Sequence, residues 1–305
     1  MIISPIFYMG NKKKLIKKGL IELFPKNINK FIEPFGGSAI ISMNTQANIY
    51  FISDIDNNLV DLYKLFKYND AEKIIKHINF RIDEFGLARE RTRRCDFEGK
   101  EDIIDVYKQS YMKFRKHYNN NKNILDFYTL MFYSFSQQFR FNNKGEFNMP
   151  YGTDCFSEAN EEYIKNGCNF FGKDTVCVGK SDFRTINIDL LNEDDFVYLD
   201  PPYLNTMATY NENEGWNIID ENDLYELCEN LNNKHIKFGL SNVFENKGVK
   251  NEKIIKWCED NNWNVYSFNK VSYSACGKGN SNAKEVFITN YKINNSKGEM
   301  QLWQI

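Results

Sequence analysis

"KFIEPFGGSAII", residues 30–41, decides how this chain is read. An apolar extended run from Lys30 to Phe35 breaks into two glycines and a serine, and an apolar run follows. Small residues at that break suit a tight turn from a strand into a helix through "IISMN". Beyond it, "NIYFISDID" (48–56) reads as a second strand, apolar as far as Asp54. "NNLVDLYKLFK" (57–67) then carries helical apolar spacing. Strand, glycine turn, helix, strand ending in an acid, helix: this order opens a doubly wound α/β sheet.

The same alternation returns from "VCVGKSDF" (176–183) through "DFVYLD", "DENDLYELCENLN", "HIKFGLSN", "EKIIKWCEDNN", "WNVYSF" and "EVFITNY". Between the two stretches the rhythm is lost. "AEKIIKHINFRIDEF" and "IIDVYKQSYMKFRKHY" have helical spacing, and "SQQFRFNNKGEFNMPYG" (136–152) reads as a hairpin with Gln137 to Phe141 and Glu146 to Met149 flanking "NNKG". Three βα units need about 90 residues, far fewer than separate residue 35 from residue 200. The surplus is an inserted module. The expected organisation is a discontinuous α/β domain over 1–67 and 172–291, an insert over 68–171 and a tail over 292–305.

"FVYLDPPYLN" (196–205) is the most unusual stretch. Phe196 to Leu199 reads as a buried strand, after which two prolines remove two backbone donors and hold Asp200 out of the helical region. The result is a stiff corner presenting a carboxylate, an aromatic ring and unpartnered carbonyls. Asp-Pro-Pro also makes an ordinary turn. Four specified letters arise by chance in a chain this long on the order of once in a thousand chains, so the corner asks for a chemical explanation.

Composition narrows the classes. Apolar residues make up 42% and charged residues 26%, the balance of a soluble globular protein. No apolar run is long enough to cross a bilayer, and the start of the chain has no signal-peptide layout. Seven cysteines without C-x-x-C pairs predict reduced thiols and a cytoplasmic setting. The three histidines, His77, His117 and His235, are far apart in sequence, so no metal centre is expected. A net charge of −2 argues against nucleic-acid binding by the whole surface. The basic runs 12–18, 89–94 and 108–118 suit solvated helix faces or, together, a phosphate-tracking surface.

In a doubly wound sheet, ligands sit beyond the C-terminal strand ends. "EPFGGS" falls there, yet it is neither G-x-G-x-x-G nor a G-K-[ST] loop, which argues against dinucleotide or ATP phosphates. Asp54 is placed to accept hydrogen bonds from ribose hydroxyls. Asp182 and Phe183 in "KSDF" would meet an adenine, one at its amino group and one by stacking. Each residue alone is also an ordinary strand-end or core residue. Together they point to a nucleoside cofactor without polyphosphate, S-adenosylmethionine.

"FYMGNKKKL" (7–15), "FIEPFGGSA" (31–39), "SDID" (53–56), "RFNNKGEFNMPYG" (140–152), "LDPPY" (199–203) and "KEVFITNY" (284–291) follow one another as in Dam-type DNA adenine-N6 methyltransferases, which the chain resembles over almost its whole length. The resemblance implies a Rossmann-like α/β methyltransferase sheet carrying an inserted helical and β-hairpin DNA-recognition module. Tyr8, Gly10, Lys12, Asp54 and Asp200 look like cofactor-pocket residues, with Phe35, Gly36, Gly37 and Ser38 at the methionine end. The family's usual Gly-Gly-Lys is Gly10-Asn11-Lys12 here, which predicts a shifted loop.

The implied reaction moves a methyl group from S-adenosylmethionine, leaving S-adenosylhomocysteine, to N6 of an adenine in double-stranded DNA. Asp200 and the Pro201 carbonyl would accept both amino hydrogens, Pro202 would hold the corner and Tyr203 would stack on the extruded base. No metal is required. Arg140 and Asn142, at period two on one strand face, suit guanine and adenine, and Lys144 suits a phosphate. Ser136, Gln138 and Lys278 complete the expected DNA contacts, and a cognate restriction endonuclease is a possible functional partner. Relatives that read GATC tend to have an apolar residue where Gln138 falls and an arginine where Thr153 falls, which counts against GATC. An RNA or protein-amide methyltransferase, or a DNA-binding protein that has lost catalysis, are the competing readings. The inserted hairpin argues against the first, and intact Asp54 and Asp200 to Tyr203 argue against the second.

Overall fold

The computed structural model describes residues 1–92, 101–204, 215–246, 248–268 and 283–293. They form two compact units. The first comprises residues 12–57 and the described residues from 174 onward, with Met1; the second comprises 2–11 and 58–173. Residues 2–11 and 58–67 thus fall in the second unit, whereas the sequence reading placed them with the α/β domain.

The first unit is an eight-stranded sheet. Its strands are β1 (Ile28–Glu33), β2 (Ala47–Asp54), β3 (Val176–Lys180), β4 (Phe196–Leu199), β5 (Lys237–Asn246), β6 (Val249–Lys250), β7 (Asn264–Ser267) and β8 (Lys284–Thr289). They run in the order β3-β2-β1-β4-β5-β8-β7, with β6 on β5. β1 to β5 are parallel, and β8 lies antiparallel between β5 and β7. This is the Rossmann-like α/β sheet expected. All four residues of β4 are fully buried, as a central parallel strand covered on both faces requires. Phe196 and Tyr198 join an aromatic layer with Phe24, Phe31 and Phe287. Val197 and Leu199 point the other way, into an apolar cluster with Leu224, Cys228, Leu231, Ile254 and Cys258.

The helices of this unit are α1 (Lys13–Lys17), α2 (Ile40–Asn44), α8 (Ile218–Asn233) and α9 (Glu252–Asp260). β1 has β2 on one side and β4 on the other, so the connections leave it in opposite directions. The crevice at such a switch point is where open α/β sheets bind ligands. Here it opens at the ends of β1 and β4, where "EPFGG" and "DPPY" follow.

The second unit is helical: α3 (Asn57–Tyr68, its first residue excepted), α4 (Ala71–Phe85), α5 (Glu101–Asn121), α6 (Ile124–Tyr133) and α7 (Glu158–Phe171). The sequence reading anticipated α3, α4 and α5 but assigned nothing at α6 or α7. α6 is buried from Asp126 to Tyr133, and a helix that is apolar all round has no amphipathic period to betray it. Its one charge, Asp126, is fully buried. It is held by Arg81 Nε at 2.7 Å and His77 Nε2 at 2.7 Å from α4, and by His117 Nε2 at 3.4 Å from α5.

The expected hairpin exists but is shorter than the spacing predicts. Phe135–Gln137 form a 3-10 turn, with Ser136 and Gln137 at positive φ, and the arms meet only in isolated antiparallel bridges. The first arm must leave the end of α6, and that turn consumes residues assigned to its strand. Asn142 N–H donates to Glu146 O at 2.9 Å and Asn148 N–H to Arg140 O at 2.9 Å. The five described cysteines form no disulfide.

Candidate active site

The turn after β1 is tied closely to the end of β2. Gly36 N–H donates to Ser53 O at 2.8 Å, and Gly37, at φ +49°, donates to the Asp54 carboxylate at 2.9 Å. The other Asp54 oxygen accepts from Asp56 N–H at 3.0 Å. Each carboxylate oxygen offers two lone pairs, so Asp54 keeps acceptor capacity for hydroxyl donors. Burial pushes its pKa up to about 6.

Sequence reading did not single out Glu33. Its side chain is 2% exposed, and one oxygen accepts from both the backbone N–H (3.2 Å) and the hydroxyl of Ser42. The contact fastens α2 to β1. Burial pushes Glu33 up to about 8, the Ser42 hydrogen bonds oppose that shift, and the nearby Asp200 and Asp54 add to it. Three buried or half-buried carboxyl groups therefore end the adjacent strands β2, β1 and β4. The signal available in the sequence was an acid placed directly before Pro-Phe-Gly-Gly.

At β4, Asp200 pairs with Lys12 Nζ at 2.8 Å. The Tyr203 hydroxyl donates to the same Asp200 oxygen at 3.1 Å and accepts from Lys12 at 2.8 Å. Lys12 Nζ also stands 5.1 Å from the centre of the Tyr203 ring. Burial raises the Asp200 pKa, against the pull of Lys12 and Tyr203. Among the described residues nothing donates to the second Asp200 oxygen, so the corner keeps an acceptor.

Three rings meet beside this crevice: Phe35–Phe183 at 5.2 Å, Phe35–Trp216 at 5.8 Å and Phe183–Trp216 at 5.6 Å between centroids. Trp216 was not anticipated. Its indole N–H donates to the buried Glu221 at 2.6 Å, and Tyr225 donates to the other Glu221 oxygen at 2.7 Å. The Asp182 carboxylate accepts from Arg184 N–H at 2.9 Å and pairs with its guanidinium at 3.0 Å. An adenine amino group would share Asp182 with Arg184.

Tyr8 and Gly10 lie in the second unit, where the Tyr8 ring sits 6.1 Å from Phe139. Lys12, Phe35 to Ser38, Asp54, Asp182, Phe183 and Asp200 to Tyr203 lie in the first unit, where Lys12 meets Asp200 and Tyr203, Gly37 meets Asp54 and Phe35 meets Phe183. The hairpin residues form a separate group. Phe139, Phe147 and Met149 are buried, and the Phe139, Phe141 and Phe147 rings surround Phe127. Arg140, Asn142, Glu146 and Asn148 alternate with them, so Arg140 and Asn142 share a face as their spacing predicts. Both are engaged within the hairpin. Arg140 Nε donates to Asn148 at 2.9 Å, and the Asn142 carboxamide accepts from Lys144 and Glu146 N–H while donating to the Glu146 carboxylate. Lys144 and Ser136 are exposed, and Gln138 donates to Ser136 O at 3.2 Å. Lys278 lies outside the described residues. Lys284, nearby in sequence, pairs with Glu245; of the basic run 89–94, Arg89 pairs with Asp83 and Arg91 with Asp154. Among the described residues no group of His, Cys, Asp or Glu could hold a metal ion, and no helix is long and apolar enough to cross a membrane.

Residues 8–272 match the model of the D12 class N6 adenine-specific DNA methyltransferases. The chain belongs to that family. It is 35% identical over 300 residues to the modification methylase StsI of Streptococcus sanguinis, covering 95% of this chain and 43% of that protein. It is 34% identical over 295 residues to the type II methyltransferase M.FokI of Planomicrobium okeanokoites, covering 94% and 43%. It is 26% identical over 219 residues to the DNA adenine methylase of Escherichia coli (strain K12), covering 69% and 70%. The chain thus spans less than half the length of the first two relatives.

Proposed function

We propose that this chain transfers a methyl group from S-adenosylmethionine to N6 of an adenine flipped out of double-stranded DNA, at one short site. The observation that carries the reading is the Asp200-Pro-Pro-Tyr203 corner at the switch point of the sheet, with a half-buried carboxylate that keeps an open acceptor. Adenine's amino nitrogen is a weak nucleophile because its lone pair is delocalised into the ring. Asp200 and the Pro201 carbonyl accept its two hydrogens, turning the lone pair toward the methyl donor, and Tyr203 stacks on the base. Holding the reacting atoms in line supplies much of the acceleration.

The pocket fits the cofactor. Asp54 has lone pairs for the ribose hydroxyls, Phe35, Phe183 and Trp216 supply aromatic walls for its adenine, and the Gly36–Ser38 turn meets its methionine part. S-adenosylmethionine supplies a methyl group already activated by its sulfonium charge. Asp200 loses its interaction with Lys12 as the base arrives, and Lys12 is then available to the cofactor carboxylate. Arg140, Asn142 and Lys144 meet the DNA, Arg140 and Asn142 after releasing their contacts within the hairpin. The setting is cytoplasmic DNA of a bacterium or phage, alongside a cognate endonuclease, as the names of the modification methylases suggest.

The test incubates purified protein and S-adenosylmethionine with unmethylated plasmid and maps N6-methyladenine by single-molecule sequencing, with Asp200→Ala beside it. Marks at one recurring motif, absent from the variant, are the expected result. Bound cofactor with no mark on DNA would overturn the reading.

A further inference from the structure

The returning arm of the hairpin, residues 145–149, has two backbone edges, and they are satisfied by different partners. Its even residues face the first arm: Glu146 O accepts from Asn142 N–H and Asn148 N–H donates to Arg140 O, both at 2.9 Å. Apart from Gly145 N–H, which closes the turn on Asn142 O at 2.8 Å, its odd residues face α5 and the residue that follows it, and there every partner is a side chain. Met149 O accepts from the Tyr111 hydroxyl at 2.9 Å and from Arg115 at 2.8 Å. Phe147 is held at both ends of its peptide edge. Its N–H donates to Asn119 Oδ1 at 2.8 Å, and its C=O accepts from Asn119 Nδ2 at 3.1 Å. Gly145 O accepts from Lys122 at 2.5 Å.

The spacing explains why a helix can do this. Residues 111, 115 and 119 lie on one face of α5, and Lys122 follows the last helical residue. Four residues of helix rise about 6 Å, and two residues of strand advance about 6.8 Å. One turn of α5 therefore keeps step with each strand repeat, running antiparallel to it. α5 stands where a third β-strand would, and the Asn119 carboxamide imitates that strand's peptide group. The basic run at 108–118 accordingly spends Arg115 on a backbone carbonyl.

Between residues 140–142 and 146–148 only two backbone hydrogen bonds cross the arms, and the side chains of Arg140 and Asn142 supply the other cross-arm contacts there; a one-residue slip would turn every side chain to the opposite face. We infer that Asn119 is a positioning residue for sequence discrimination: by clamping both backbone groups of Phe147 it sets the register that presents Arg140 and Asn142 together on one face. This inference rests on the proposed DNA-reading role of the hairpin.

The experiment compares wild type with Asn119→Ala, Arg115→Met and, as a control on the exposed side of α5, Lys113→Ala. Methylation rates at the cognate motif and at motifs one base away are read from one plasmid as a ratio. Losing a two-point clamp relaxes that ratio by about tenfold or more, while S-adenosylmethionine affinity is unchanged. Arg115→Met, which leaves Tyr111 on Met149 O, gives a smaller fall in the same direction, and Lys113→Ala gives none. Unchanged ratios in both α5 variants would overturn the inference. Should Asn119→Ala fail to fold, Arg115→Met decides alone. Amide exchange provides a reading without DNA: Asn119→Ala should lose protection at Phe147 and keep it at Asn148, and equal protection at Phe147 in both proteins would refute the clamp. A wild type that binds cofactor but methylates nothing sinks the parent reading instead, and the exchange measurement still decides the register.

Discussion

Replacing Glu33 with glutamine should remove a large part of this protein's sensitivity to alkaline pH. The unfolded chain ionises Glu33 near 4.5, whereas burial in the folded protein pushes the same group up to about 8. The folded state thus binds a proton that the unfolded state has already released, so stability falls as pH rises between those values. Below 4.5 both states are protonated and the penalty vanishes; above about 8 it is complete. The interval from 4.5 to about 8 corresponds to roughly 5 kcal/mol. Relaxation and water penetration lower such penalties, so ~2–3 kcal/mol is the working figure. At about 2–4 °C per kcal/mol for a domain of this size, that is a fall in Tm of about 5–10 °C. The glutamine of the Glu33→Gln variant keeps an oxygen for the Ser42 N–H and hydroxyl and carries no titrating proton. Thermal unfolding followed by circular dichroism from pH 5 to 9 gives the difference between the two proteins. Asp54 and Asp200 titrate in both, so the difference reports Glu33 together with its coulombic coupling to those two. Parallel Tm-versus-pH curves would refute the reasoning.

Asp54→Ala strips the acceptor from Gly37 and Asp56 N–H and, on the proposed role, from the cofactor ribose; titration calorimetry should then show S-adenosylmethionine binding weakened by about tenfold or more. Asp126→Ala leaves Arg81 and His77 without their buried carboxylate and should cost about 3–5 kcal/mol in urea unfolding. The net effect of these partners is to hold the Asp126 pKa below its usual value despite burial. Its contribution is therefore present above pH 4 and lost on further acidification, so the wild-type advantage over the variant should shrink there. Gly239→Ala would put a Cβ 2.3 Å from the Phe287 ring and 2.9 Å from Phe196. Overpacking that aromatic layer should cost about 1–3 kcal/mol or more, measured as a lower urea midpoint at unchanged slope.

What could be read in the sequence was whatever a few neighbouring residues impose on themselves. β4 was legible because a fully buried parallel strand is an unbroken apolar run, and its end because two prolines forbid continuation. The turn after β1 was legible from its glycines. α6 was not, because burial on all sides erases the period that marks a helix. Arg140 and Asn142 could be placed on one face by alternation, but not the Asn142 turn that occupies its carboxamide, nor the α5 side chains that hold the opposite arm.

The site itself depends on strand order, which no local pattern contains. Lys12 and Tyr203 are 191 positions apart in the chain and 2.8 Å apart in the fold. Strand order likewise places β1 between β2 and β4, which brings the turn after Glu33 beside the corner after Leu199. The same order makes Glu33, Asp54 and Asp200 electrostatic neighbours, and burial raises the pKa of all three. That clustering depends on charge placement that only the fold supplies.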